Sequence, residues 1–118
     1  MTKLMTVTQS DFSQNVLESD LPVVVDFTAA WCPPCRRAMP ILEAIAADYR
    51  GRIKVVEVDA DEESQLVGRY GVRAMPTLLV FRQGQEIERL IGLRTNAAYR
   101  AVLDQILAAP PASVLSSI

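Results

Sequence analysis

The 118-residue chain contains no histidine and only two cysteines. Structural zinc takes four nitrogen or sulfur ligands, so a zinc centre here would have to be completed by carboxylates or by a second chain. Basic residues are not in excess: twelve Lys and Arg against fourteen Asp and Glu leave a net charge of -2. That balance gives no electrostatic footprint for nucleic acid or an anionic membrane and points to proteins as partners. No apolar run approaches the ~20 residues needed to span a bilayer. Residues 1–7 lack the apolar segment and cleavage site of a secretory signal, so a cytoplasmic location is expected. Repeats and low-complexity blocks are absent too. With 50% hydrophobic residues, the chain is long enough for one real core and too short for two ordinary ones.

What the chain does have is Trp31-Cys32-Pro33-Pro34-Cys35, with the two cysteines one helical turn apart, directly after the apolar run 21–27. A C-x-x-C pair that follows a buried strand puts its first sulfur at a helix N-terminus. Unpaired amides and the positive end of the helix dipole there favour thiolate over thiol. The second sulfur is near enough to close a small disulfide ring. A purely structural bridge explains little, because so short a loop hardly constrains the unfolded chain. Reducing compartments keep thiols reduced, so a lone pair of this kind is expected to be catalytic. Thiol–disulfide redox chemistry is the reading that remains.

Strands alternate with helices along the rest of the chain. Residues 5–8 and 53–59 read as strands, and 22–27 as a strand so continuously apolar that both its faces are expected to be buried. Ser10 and Asp11 are candidate caps for a helix whose apolar stripe is Phe12, Val16 and Leu17. Ala38, Ile41, Leu42, Ile45 and Ala46 set the core face of a helix over 32–50, which Gly51 ends and Pro40 interrupts and should kink. A short helix over 64–70 closes at Gly71. Strands 77–82 and 86–91 flank Gln83-Gly84-Gln85 as an antiparallel hairpin. The last helix starts near Thr95 or Asn96, offers Tyr99, Val102, Leu103, Ile106 and Leu107 to a core, and stops at Pro110-Pro111. Residues 112–118 have no clear period and are expected to fray, with Val114, Leu115 and Ile118 able to dock on the surface. The whole implies an α/β domain over 1–109, a mixed sheet with helices on both faces, and a short tail over 110–118.

Over about residues 4–108 the chain resembles thioredoxin. The resemblance is carried by Val25-Asp26-Phe27, Trp31-Cys32-Pro33-Pro34-Cys35, Asp59, Tyr70-Gly71-Val72, Met75-Pro76-Thr77 and Gly92. It implies the thioredoxin fold, a central mixed sheet of about five strands flanked by about four helices.

Chemistry and resemblance together assign the site. Cys32, at the helix start, can accept a backbone N–H bond while remaining exposed, and is expected to attack a target disulfide to form a mixed disulfide. Cys35 is expected to be more buried and to resolve that intermediate. Trp31 is either a core aromatic or, as in the resembled family, a semi-exposed wall of the site. Asp26 is either solvated at an early strand end or buried with a raised pKa. The resemblance supports a buried acid–base group that takes the Cys35 proton, directly or through water. Pro76 alone reads as a trans proline at a strand entrance. In the family it is cis, faces the cysteines and leaves the Met75 backbone free to pair with an extended substrate. Gly92 is either an ordinary bend or, by resemblance, part of the same groove. Pro34, Ala74 and Met75 complete the expected substrate contacts.

Two positions depart from the family pattern, and with Pro34 they are the expected redox-tuning residues. Pro33 stands where thioredoxins usually have glycine, which stiffens the loop and deletes another N–H, while Pro34 biases Pro33 away from the helical region. Glu57 stands where they often carry a lysine near the buried aspartate; if it points toward Asp26, the two carboxylates compete. The expected function is that of a monomeric protein disulfide reductase without bound cofactor, recharged by thioredoxin reductase as the resemblance implies. A disulfide oxidant or isomerase, hinted at by Pro33, and a non-catalytic binding module using the apolar rim of Trp31 and Met75 are the other readings.

Overall fold

Within residues 3–110, which the computed structural model describes, five strands form one mixed sheet. In chain order they are β1 (Met5–Thr6), β2 (Val23–Thr28), β3 (Lys54–Asp59), β4 (Thr77–Arg82) and β5 (Gln85–Ile91), and in space they run β1-β3-β2-β4-β5. β3 is parallel to both β1 and β2, whereas β4 is antiparallel to β2 and β5 to β4. A π-helical turn (Ser13–Leu17) and the helices α1 (Pro33–Asp48), α2 (Ser64–Tyr70) and α3 (Asn96–Ala108) cover the sheet.

The apolar run predicted as a strand buried on both faces is β2, at the centre of the sheet. Its even-numbered side chains and those of its neighbours, Val24, Val55, Leu78 and Val80, pack against Leu42 and Ile45 of α1 and Tyr99 and Leu103 of α3. The odd-numbered side chains of β2, Val23, Val25 and Phe27, with Val56 and Leu79 of its neighbours, meet Phe12, Val16 and Leu66 on the other side. Phe12, Tyr70 and Phe81 pack ring against ring with centroids 5.3–5.6 Å apart, which ties the π-helical turn and α2 to β4. Each fully buried Val, Leu, Ile or Phe side chain contributes roughly 1.5–3 kcal/mol of transfer free energy, so the two layers supply the bulk of the stability.

Several boundaries differ from the sequence reading, each for a local reason. β1 stops at Thr6 instead of residue 8: Val7 N–H still donates to Glu57 O at 2.8 Å, but Thr8 N–H turns to Asp11 Oδ1, also at 2.8 Å. Ser10 and Asp11 are therefore not helix caps. Asp11 closes its own turn, and Ser10 bonds the Thr8 hydroxyl. The segment expected as an amphipathic helix is a single π turn closed by Glu18 N–H to Ser13 O at 2.9 Å. Lys54 Nζ donates to the Asn15 carbonyl at 2.9 Å and satisfies it from outside the turn. β2 extends to Thr28, and β5 begins at Gln85 because Gln83 and Gly84 alone make the connection, at φ 54° and 79°. Two successive positive φ values match the right-handed twist of the flanking strands.

Cys32 is the N-cap of α1 rather than part of the helix, and α1 continues through Pro40 to Asp48. Pro33 opens that helix despite the bias imposed by Pro34, because a proline's fixed φ suits the first helical position. Thr95 Oγ1 caps α3 by accepting from Ala98 N–H at 3.1 Å. At its other end the Arg82 guanidinium donates to Ile106 O and Ala109 O at 2.8 and 3.0 Å, so the last carbonyls are met from the sheet before Pro110 is reached. Pro111 and the expectations for Val114, Leu115 and Ile118 lie outside the described residues. Among the described residues no helix is long and apolar enough to cross a membrane.

Candidate active site around Cys32 and Cys35

β2 delivers the chain to the sheet's end, and the sharp passage into α1 places both cysteines there. They are joined as a disulfide with Cα atoms 5.3 Å apart. Cys32 N–H donates to Ala29 O at 3.2 Å, and Arg36 N–H to Cys32 O at 3.2 Å, which fixes the backbone on either side of the sulfur. Pro33 and Pro34 occupy the first two helical positions and carry no N–H. Among the described residues, the one amide that caps Cys32 Sγ is that of Cys35, at 3.3 Å. The Arg36 guanidinium reaches back to Ala30 O at 2.7 Å and clasps the loop from outside.

Cys32 is 3% exposed and Cys35 1%. The order is as expected, but the expectation that Cys32 stays exposed is corrected. Cys32 is buried with Ala29 and Cys35 in a small apolar cluster against which Met75 packs. Met75 O lies 3.6 Å from Cys32 Sγ. The Met75–Pro76 bond is cis, as the resemblance implied. Gly92 N–H donates to Pro76 O at 2.8 Å while Gly92 holds φ +87°, so Gly92 is tied to the proline rather than being an ordinary bend. Ala74 is exposed, and its carbonyl accepts from the Thr77 hydroxyl at 2.6 Å. Trp31 is not a core aromatic: it is 62% exposed, and its Nε1–H donates to Asp61 Oδ2 at 2.8 Å.

Asp26 is fully buried on the face covered by α1 and α3, between Glu57 of β3 and Leu78 of β4 in register. Neither of its carboxylate oxygens has a hydrogen-bond partner, so no bond joins it to Cys35. Burial, and then the negative charge of Glu57, push its carboxyl from 3.8 up to about 7. Glu57 thus faces Asp26, and it accepts the Thr6 hydroxyl at 3.1 Å. It also lines a cavity of about 290 Å³ together with Cys35, Arg36, Met39 and Asp59. The cavity brings the Glu57 carboxylate and the inner cysteine to one mainly apolar space, which Asp26 does not line.

Residues 3–105 match the thioredoxin family. The chain belongs to the thioredoxin family. It is similar to Thioredoxin 1 of Nostoc sp., with 48% identity over 101 residues, 86% of this chain and 94% of that one. Thioredoxin 1 of Synechococcus elongatus and the thioredoxin of Pseudomonas aeruginosa match over the same shares at 42% and 39% identity. Like other thioredoxins, the chain is a thiol–disulfide reductase, with the Cys32–Cys35 pair as its redox centre.

In this thioredoxin the structure brings Cys32, Cys35, Met75, Pro76 and Gly92 to one place. Trp31 stands exposed beside them, and Asp26 lies buried in β2 with no hydrogen bond to either sulfur among the described residues. Sequence reasoning missed Asp61, the partner of Trp31, Arg36, which clasps the loop, and Thr6, which holds Glu57. Each bonds to a residue at least five positions away, and none carried a periodic or motif signal.

Proposed function

We propose that this thioredoxin reduces protein disulfides with Cys32 as the attacking and Cys35 as the resolving sulfur. The Cys32 thiolate attacks one sulfur of a target disulfide. The target S–S bond breaks, the other target sulfur leaves as a thiolate, and a mixed disulfide forms. The Cys35 thiol then loses its proton and attacks Cys32 Sγ. The mixed bond breaks, the second target sulfur leaves as a thiolate, and the Cys32–Cys35 bond closes. Two electrons pass from the chain to the target. Asp26 accepts the Cys35 proton through water, with Glu57 between it and the solvent-side cavity. The observation that carries this assignment is the position of Cys32 as helix N-cap, its sulfur bonded by the Cys35 amide, with Cys35 behind it.

Trp31, Pro34, Ala74, Met75, Pro76 and Gly92 form the surface along which an extended target segment lies, and Pro33, Pro34 and Glu57 tune the pair. The redox unit is residues 1–109, a monomer working in the cytoplasm without bound cofactor and returned to the dithiol state by thioredoxin reductase. The test is trapping: reduced Cys35→Ser should accumulate a covalent complex with a disulfide protein on non-reducing gels, and reduced Cys32→Ser should not. Accumulation with Cys32→Ser instead would reverse the roles. Asp26→Asn should slow the decay of the mixed disulfide in single-turnover experiments without slowing its formation.

A further inference from the structure

Charge is segregated around the disulfide in a way the net charge of -2 conceals. On one side, the connection from β3 to α2 carries Asp61, Glu62 and Glu63, and Asp61 holds Trp31. On the other, α1 and the segment after Gly92 enclose an open groove of about 750 Å³. Its floor is Pro40, Ile41 and Leu93, its cations are Arg36, Arg37 and Arg94, and no carboxylate lines it. Arg36 is engaged with Ala30 O. The guanidinium groups of Arg37 and Arg94 form no hydrogen bond or ion pair among the described residues; Arg94 bonds the buried Tyr99 hydroxyl through its backbone N–H, at 3.1 Å. Elsewhere the chain does pair its arginines, as in Arg89 with Glu86 and Arg100 with Asp48, both at 2.8 Å.

We propose that this groove receives the acidic flank of the target polypeptide, so that the site selects and orients disulfides whose reactive cysteine is followed or preceded by Asp or Glu. The proposal rests on the reductase reading and adds a substrate class to it. Arg36 and Arg37 lie about 6–8 Å along the helix from Cys32, a span that an extended peptide covers in about two or three residues. A carboxylate at that distance from the attacked sulfur meets cations held above an apolar floor, where guanidinium binds carboxylate in a planar fork. The same peptide turned end for end brings its carboxylates to Asp61 and Glu62 and is repelled. A nucleic acid or an anionic membrane would meet that acidic wall as well, so a short segment fits the groove better than an extended polyanion.

The test uses the full-length reduced protein and three fluorogenic disulfide peptides, identical except for Glu, Ser or Lys at the two positions on one flank of the reactive cysteine. Hydroxyethyl disulfide, which is small and uncharged, reports the reductase chemistry alone. At low salt kcat/KM should fall in the order Glu, Ser, Lys, with the Glu peptide ahead of Ser by about fivefold, the size expected for two exposed ion pairs. The difference should lie in KM and collapse as salt is raised toward 1 M. R37E/R94E should reverse the order while hydroxyethyl disulfide is still reduced. Equal rates for the three peptides at low salt, or an order unchanged in R37E/R94E, would overturn the proposal. Loss of hydroxyethyl disulfide reduction in the unsubstituted protein would instead sink the reductase reading on which it stands.

Discussion

Replacing Asp26 with asparagine should remove the largest single pH dependence of the fold's stability. The carboxyl is held at about 7 in the folded chain against 3.8 when solvated, because it is buried without a hydrogen-bond partner and faces Glu57. Between these values the unfolded chain has released the proton and the folded chain still holds it. Folding therefore binds a proton in this window, and stability falls as pH rises through it. Below about pH 4 the contribution is fully present, and above about pH 7 it has been lost. Three units at about 1.4 kcal/mol each give a decline of about 4 kcal/mol across the window. Urea unfolding of the oxidised protein and of oxidised Asp26→Asn, measured from pH 4 to 9, isolates this group, since every other carboxylate is common to both. The difference between the two stability curves should shift by about 4 kcal/mol, with the asparagine variant gaining relative stability as pH rises. A difference curve flat to within about 1 kcal/mol would refute the reasoning, because it would mean that the folded and unfolded states hold the Asp26 proton alike.

Three other changes probe the same site. Glu57→Gln removes the second cause of the Asp26 shift, so the Asp26 carboxyl should titrate lower by carbon NMR while staying above 3.8; an unchanged titration would show that the two strands do not communicate. Pro34→Ala restores an N–H at the second helical position, within reach of Cys32 Sγ, and should stabilise the reduced thiolate. A charge-assisted bond of about 1.5 kcal/mol raises the reduction potential by roughly 30 mV in a glutathione redox buffer, and an unchanged or more negative value would contradict the single-donor account. Gly92→Ala meets no atom within 4 Å but forces a side chain onto φ +87°. The cost of about 1–2 kcal/mol should appear as a lower urea midpoint, and an unmoved midpoint would mean that the segment relaxes freely.

The redox centre was legible because its chemistry is local: two cysteines, a helix start and a preceding buried strand sit within fifteen residues of one another in the sequence. Asp26 was legible as the charge that interrupts an apolar run. Its environment was only conditionally readable, since whether Glu57 faces it depends on the register of β2 against β3, and parallel register is a long-range fact absent from either strand's own pattern. The π turn escaped because period alone does not separate it from an α-helix, and a lysine from β3 satisfies one of its carbonyls. The burial of Cys32 escaped because it is set by Ala29 and Met75 together, and Met75 comes from another part of the chain.

The sheet's two margins bear on how such a molecule survives at high concentration. β1 is only two residues long, and β5 sets the exposed charges of Glu86 and Glu88 on either side of the exposed Ile87. A short edge and a charged edge both discourage a second copy from adding its own strand. An edge strand open to pairing with another chain would lead to aggregation. The borders of the sheet thus turn foreign backbone away by their shortness on one side and their charge on the other.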